Sequence, residues 1–312
     1  MARPLRIQYP DACYHLMSRG DRREEIFRDL ADREQFLELL GKACGKTGWQ
    51  VHAYCLMSNH WHAVVETPQP NLALGMRWLL GTYTQRFNRR HRQWGHLFGG
   101  RYKAQLIDAG RRGYLLAACN YVHLNPKRAG LIGPEAPLES YRWSSYPAYL
   151  KIGLRPEWLR TDRLLGEHGL RSDTARTRRE FSRRMEGMSP IDFAGENEPL
   201  RRGWKLGAED FGDRLVDKLT LTQKRGVGEP PRDRREIDEA LAERLIGEGL
   251  AAVGWSAQDL RANPKGDRIK VEIAQQVRAQ TPMTRGWIAR RLQMGSPGYR
   301  SQLLARYDDL KL

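Results

Sequence analysis

The stretch Trp49 to Thr67, "WQVHAYCLMSNHWHAVVET", restricts the fold more than any other part of the chain. Two strand-like runs, Trp49 to Met57 and Trp61 to Thr67, are separated only by the short turn "SNH", so they read as an antiparallel hairpin. Before it, Asp32 to Lys46 carries Phe36, Leu39, Leu40 and Ala43 at helical spacing, with Asp32 in capping position and Gly45 and Gly48 near the end. A first strand is expected at Cys13 to Ser18. After the hairpin, Leu72 to Asn88 shows an apolar helical face, Tyr102 to Asp108 a fourth strand, and Arg111 to Leu124 a third helix. Pro126 is expected to stop that helix close to Asn125, because the residue before proline is pushed out of helical geometry. The order β-α-β-β-α-β-α predicts an α+β fold: a ferredoxin-like βαββαβ layer whose antiparallel sheet is covered by helices on one face.

A chain of 312 residues has room for more than one core. The first domain is read as residues 1–150. Residues 151–235 form a basic extension ending in the Gly-, Pro- and charge-rich linker "TQKRGVGEPPRDRRE", and residues 236–312 form a mainly helical domain. Helical patterns run over Ile237 to Leu250, Asp267 to Ala279, Thr284 to Leu292 and Pro297 to Tyr307. The last two suggest a helix-turn-helix-like unit, with Trp287, Ile288 and Leu292 inward and Gly295 in the turn. Gln293 stands where such turns often carry Gly. Arg300 and Gln302 are the candidates for groove contact.

The formal net charge of +16 favours a polyanionic partner, nucleic acid first. No apolar run approaches the roughly 20 residues that a membrane-spanning helix needs. The N-terminal "MARPLRIQYPDACYHL" has a basic start without a long apolar region, so a cytoplasmic, nucleoid-associated location is expected. The four cysteines are widely spaced and read as small reduced hydrophobes.

Candidate chemistry starts at "HWH". Strand side chains alternate faces, so His60 and His62 point to one side while Trp61 points away. Two imidazoles can converge on one ion, although such pairs are often structural. In "YLLAACNYVHLNPKRAGL", Tyr114, Ala118, Tyr121 and Asn125 share one helical stripe. The Asn125 side-chain carbonyl is a candidate to complete the metal set of His60 and His62. His123, two residues from Tyr121, falls on roughly the opposite side of the helix. Around these lie "QRFNRRHRQWGHLFGGRYK" and Arg111-Arg112, which mix cations with aromatics as a single-strand groove requires. Arg89, Arg90, Arg92, Arg101, Lys103, Arg111, Arg112, Lys127 and Arg128 are the candidate DNA contacts in this half.

The combination of "MSNHWHAVVE", "GRYKAQLID", "NYVHLNPKRAGL" and "YRWSSYPAYL" resembles the HUH single-tyrosine transposases of insertion sequences, particularly their REP-associated branch, over about the first 150 residues. The resemblance implies a divalent-metal nuclease and strand transferase acting on single-stranded and hairpin DNA. It implies His60 and His62 as metal ligands assisted by Asn125, Tyr121 as nucleophile, and a 5′-phosphotyrosyl link with a free 3′-hydroxyl. Mg²⁺ or Mn²⁺ is the ion it implies, while two imidazoles also suit Zn²⁺ on softness. It admits a homodimer. Two other readings stay open at this point: a nonenzymatic DNA-binding regulator and a metal-dependent RNA-processing nuclease.

Overall fold

A computed structural model describes residues 7–188, 203–224, 232–256, 258–281, 283 and 285–295. These fall into two compact units, residues 1–220 and 221–312. The boundary lies inside the stretch read above as basic extension and linker.

The first unit runs β1 (Ala12–Arg19), α1 (Leu30–Thr47), β2 (Gln50–Leu56), β3 (His60–Thr67), α2 (Leu72–His91), β4 (Lys103–Ile107) and α3 (Tyr114–Arg128). Short helices α4 (Tyr146–Leu150) and α5 (Asp162–Glu167) follow, then α6 (Ala175–Glu186), β5 (Lys205–Leu206) and α7 (Phe211–Lys224), whose end falls past residue 220. The sheet order is β2-β3-β1-β4-β5. Its first four strands are antiparallel, which is the ferredoxin-like layer expected from the hairpin and its flanking helices.

The fifth strand differs from that expectation. β5 comes from the distant extension and pairs parallel with β4, where the Leu106 amide donates to Trp204 O and the Asp108 amide to Leu206 O. A sheet edge with unpaired amides is thus covered by a segment that no local pattern links to it.

Helices cover both faces rather than one. On the first face, Trp61 of β3 packs against Phe36 of α1 with ring centroids 5.2 Å apart, and Phe36 meets Tyr83 of α2 at 5.1 Å. On the second, α3 lies against the side of the sheet that carries His15 and His62. The outer side of α3 packs on Tyr146, Tyr149 and Phe181 from α4 and α6 through His123. A helix with neighbours on both sides must be apolar nearly all round, and Leu115, Ala118, Cys119, Val122 and Leu124 are all buried.

Two expectations about helix ends are corrected. α1 begins at Leu30, and Asp29 is its cap, accepting from the Asp32 amide at 3.0 Å. Asp32 sits inside the first turn, fully buried, where its carboxylate takes Arg90 at 2.6 Å and His91 at 2.9 Å. α3 likewise does not stop at Asn125. Pro126 lies within it and the helix continues to Arg128. Proline there removes only the amide that would have served the Val122 carbonyl. The end is then closed by the Ala129 amide on Asn125 O and the Leu131 amide on Pro126 O, both at 2.9 Å. That extra turn brings Arg128 onto the stripe of Tyr121 and Asn125.

The second unit contains α8 (Arg232–Ala251), α9 (Asp259–Ala262), α10 (Arg268–Gln280) and α11 (Arg285–Arg291). Its core includes Leu245, Ile246, Val271, Val277, Ile288 and Leu292, with Trp287 packed half-buried at the margin. Lys270 is buried, and its ammonium donates to Leu260 O at 2.7 Å and Asn263 O at 2.9 Å, closing the end of α9. Gln293, at φ +56°, adopts the left-handed conformation usually given to Gly, and Gly295 follows at φ +87°. The helix expected at Pro297 to Tyr307, with Arg300 and Gln302, lies outside the described residues. No helix among the described residues is long and apolar enough to cross a membrane.

Candidate active site

The sheet register places the histidines. β1 pairs with β3 so that Met17 faces His62 and Arg19 faces His60, and with β4 so that His15 faces Gln105 and Met17 faces Lys103. All these side chains share one face, because positions two apart on a strand do so. A cavity of about 810 Å³ opens over this face, lined by His15, His60, His62, Tyr121, Asn125 and Arg128 among others.

Within it, His60 and His62 approach at 5.1 Å between ring centroids. The His60 Nδ1 is 2.7 Å from Asn59 Oδ1. Tyr121, only 5% exposed, presents its ring edge-on to His15 at 5.6 Å and to His62 at 6.1 Å. One turn on, Asn125 is buried, its Oδ1 accepting from Arg128 Nη1 at 3.0 Å while its Nδ2 has no partner among the described residues. The Arg128 guanidinium lies 4.2 Å over the Tyr121 ring. A cation on a phenol face is held there by the ring's quadrupole.

The imidazoles are uncharged. Burial holds His15 and His60 down to about 4, with Arg19 adding to the effect at His60. His62 is pushed well below its ordinary value by burial, then by His15, His60 and the nearby arginines. Neutral rings leave lone pairs for a cation at neutral pH, and the Asn125 Oδ1, which accepts one bond from Arg128, keeps a second lone pair. This donor set fits a divalent ion.

The same shifts predict acid sensitivity. Above the ordinary imidazole value of 6.5 these groups are neutral in both states, and stability is unaffected. As pH falls from 6.5 toward 4, the unfolded chain binds protons that the folded chain excludes, so stability falls. For the fully buried His15 alone the loss is on the order of 2 to 3 kcal/mol by pH 4. Urea midpoints measured at pH 7, 5.5 and 4 should decline in that order, and His15→Gln should flatten the decline.

The candidate residues do not all converge. His123 faces away, fully buried, its Nε2 bonded to Ser145 Oγ at 2.8 Å. Among the candidate DNA contacts, Lys103 and Arg128 line the cavity. Arg89, Arg92, Arg101 and Arg112 are exposed. Three others are engaged by carboxylates: Arg90 by Asp29 and Asp32, Arg111 by Asp210 at 2.7 Å, and Lys127 by Glu186 at 2.9 Å. His15, Arg19 and Gln105 are site residues that the motifs did not reveal. "CYHLMS" shows His15 on a strand face, but which face it shares is set by pairing with β3 and β4.

A second group of ligand-type side chains, Cys13, His52 and Glu66, lies together elsewhere on the sheet. Its carboxylate is already taken by His52 at 2.9 Å and Arg163 at 2.6 Å. Burial opposes ionisation of Glu66, but those bonds hold it at about 2, while burial pushes Cys13 up to about 12. A guanidinium on the carboxylate and a protonated thiol describe a structural ion pair, not an ion site.

Residues 8–125 match the family described as "Transposase IS200 like". No curated protein matches the chain. The solved structure of a REP-associated tyrosine transposase bound to a REP hairpin aligns with 52% of this chain and 93% of its own, at 14% identity and a TM-score of 0.40. The matched segment holds β1 through Asn125 of α3, including the paired histidines and Tyr121. Over those residues, which make up less than half of the chain, the protein is similar to the IS200-like transposases.

Proposed function

We propose that the chain is a divalent-metal-dependent single-strand DNA nickase and strand transferase of the REP-associated type, acting at hairpin-bearing DNA with Tyr121 as nucleophile. The observation that carries this reading is the placement of Tyr121 edge-on to His62 in one cavity with His60, Asn125 and Arg128.

The Tyr121 hydroxyl gives up its proton to solvent as its oxygen attacks the scissile phosphorus, the bond from phosphorus to the 3′ oxygen breaks, and the departing oxygen takes a proton from water to become a 3′-hydroxyl. The product is a 5′-phosphotyrosyl link, which keeps the phosphodiester energy for rejoining. A phenol ionises near about 10, so its attack needs assistance at neutral pH. His60, His62 and Asn125 would hold Mg²⁺ or Mn²⁺, which when bound draws charge from the phosphate oxygens. Arg128 orients the phenol through its ring and stands beside the Asn125 amide. Its charge opposes the negative charge that develops on tyrosyl and phosphate oxygens. Arg128→Ala should therefore lower the nicking rate about 100-fold with a smaller change in DNA affinity, and Arg128→Lys should recover only part of it, measured by single-turnover cleavage.

Exposed Arg89, Arg92, Arg101 and Arg112 with Lys103 suit backbone contact along a strand, and Trp94, 92% exposed, suits stacking on an unpaired base. Arg300 and Gln302 of a helix-turn-helix-like unit are proposed contacts to duplex, and a homodimer remains part of this reading. Action on DNA goes with a cytoplasmic, nucleoid location.

The test is adduct formation on a labelled single strand flanking a hairpin. A covalent species stable to denaturing electrophoresis should appear with Mg²⁺ or Mn²⁺ and vanish with chelator. No adduct with any divalent ion would sink the enzymatic reading and favour a DNA-binding regulator. Preferential cleavage of RNA would favour an RNA-processing nuclease.

A further inference from the structure

We propose that His15 is a positioning residue that fixes the tautomer and ring orientation of His62. The inference rests on the reading of His60 and His62 as ion ligands. His15 Nε2 lies 2.9 Å from His62 Nδ1, both residues are buried, and the rings are stacked at 5.1 Å with planes 12° apart. Two neutral imidazoles at that separation share one proton between these nitrogens. If His15 donates, the His62 proton resides on Nε2 and the ring has no lone pair left for a cation. If His62 donates through Nδ1, its Nε2 is the unprotonated nitrogen.

The second arrangement is the one compatible with a ligand. Metal-binding histidines commonly give their other N–H to a fixed acceptor, and a strand-borne imidazole takes that part here. His15 is itself held from two directions. Gln105 stands opposite it on β4, and the Gln105 side chain donates Nε2 to Lys205 O on β5 at 3.4 Å. The edge of Tyr121 lies against its ring. The chain of contacts β5, Gln105, His15, His62 thus links the sheet's added edge strand to the ligand.

The substitutions His15→Gln and His15→Phe separate hydrogen bonding from packing. Gln places an amide oxygen near the position of Nε2 and keeps an acceptor, whereas Phe keeps the ring and removes it. Calorimetric titration of the full chain with Mn²⁺ should show affinity about 10- to 100-fold weaker in His15→Phe and within a few-fold of the parent in His15→Gln. In the unsubstituted chain labelled with ¹⁵N-histidine, His62, assigned by its loss in His62→Gln, should carry its proton on Nδ1.

A His62 proton on Nε2 in the unsubstituted chain would overturn the proposal without recourse to any variant. So would unchanged Mn²⁺ affinity in a folded His15→Phe. Should His60→Ala and His62→Ala also leave Mn²⁺ affinity unchanged, the ligand reading itself fails. Weakening in those two but not in His15→Phe removes the positioning role alone.

Discussion

Tyr121→Phe should abolish the covalent protein–DNA species while leaving hairpin DNA affinity within about two-fold. Removing a nucleophile that no other group replaces costs at least about 1,000-fold in rate. The change deletes one oxygen from a residue that is 5% exposed, so the ring stays under Arg128 and against His15. Gel-shift binding and denaturing electrophoresis on one preparation separate the two effects. Residual adduct at parental levels would point to another nucleophile, and adduct loss accompanied by binding loss would point to a structural role for the hydroxyl. The tyrosines facing the second side of α3, Tyr146 and Tyr149, are buried in a cluster with Phe181, and their substitution should act through folding instead.

Trp61→Ala should cost about 3 to 5 kcal/mol of unfolding free energy, the range for truncating a buried large aromatic. Trp61 sits between the two proposed ligands in sequence yet on the opposite face of the sheet, 1% exposed and packed on Phe36. Its Nε1 has no hydrogen-bond partner among the described residues, so the indole N–H contributes a desolvation penalty rather than a bond. Trp61→Phe should therefore lose far less than Trp61→Ala, and its cleavage rate per folded molecule should equal the parent's. Denaturant melts scored beside active-site titration check both statements. A rate defect in fully folded Trp61→Phe would show that the face opposite the cavity controls the chemistry.

These two substitutions bracket what a period of two already implies. "HWH" on a strand separates the histidine face from the core face whatever the strand pairs with, so His60, His62 and Trp61 could be given their faces before any tertiary structure. The hairpin connection, the apolar helical faces of α1 and α2, and the stripe of Tyr121 and Asn125 are equally local. Each follows from neighbours within about ten residues, and the family match over 8–125 agrees with the motifs that carried them.

What escaped was non-local or depended on competition between local rules. Asp29 and Asp32 are both acceptable caps by type, and the choice fell to Asp29 because Arg90 and His91 of α2 draw Asp32 into an ion-paired interior position. Pro126 carries a strong local stop signal, yet packing of α3 between the sheet and α6 keeps the helix going for another turn. That turn converts Arg128 from a cation beyond the helix into a lid over Tyr121.

The sequence by itself determined the strand and helix order, the face on which each histidine points, and the helical spacing of Tyr121 and Asn125, because these depend on backbone periodicity. Only the tertiary structure decided that His15 and Gln105 stand beside His62, that α3 covers the histidine face, and that β5 closes the edge. Those placements depend on strand register and on long-range packing, in which residues tens of positions apart meet because burying their shared surface outweighs any local preference.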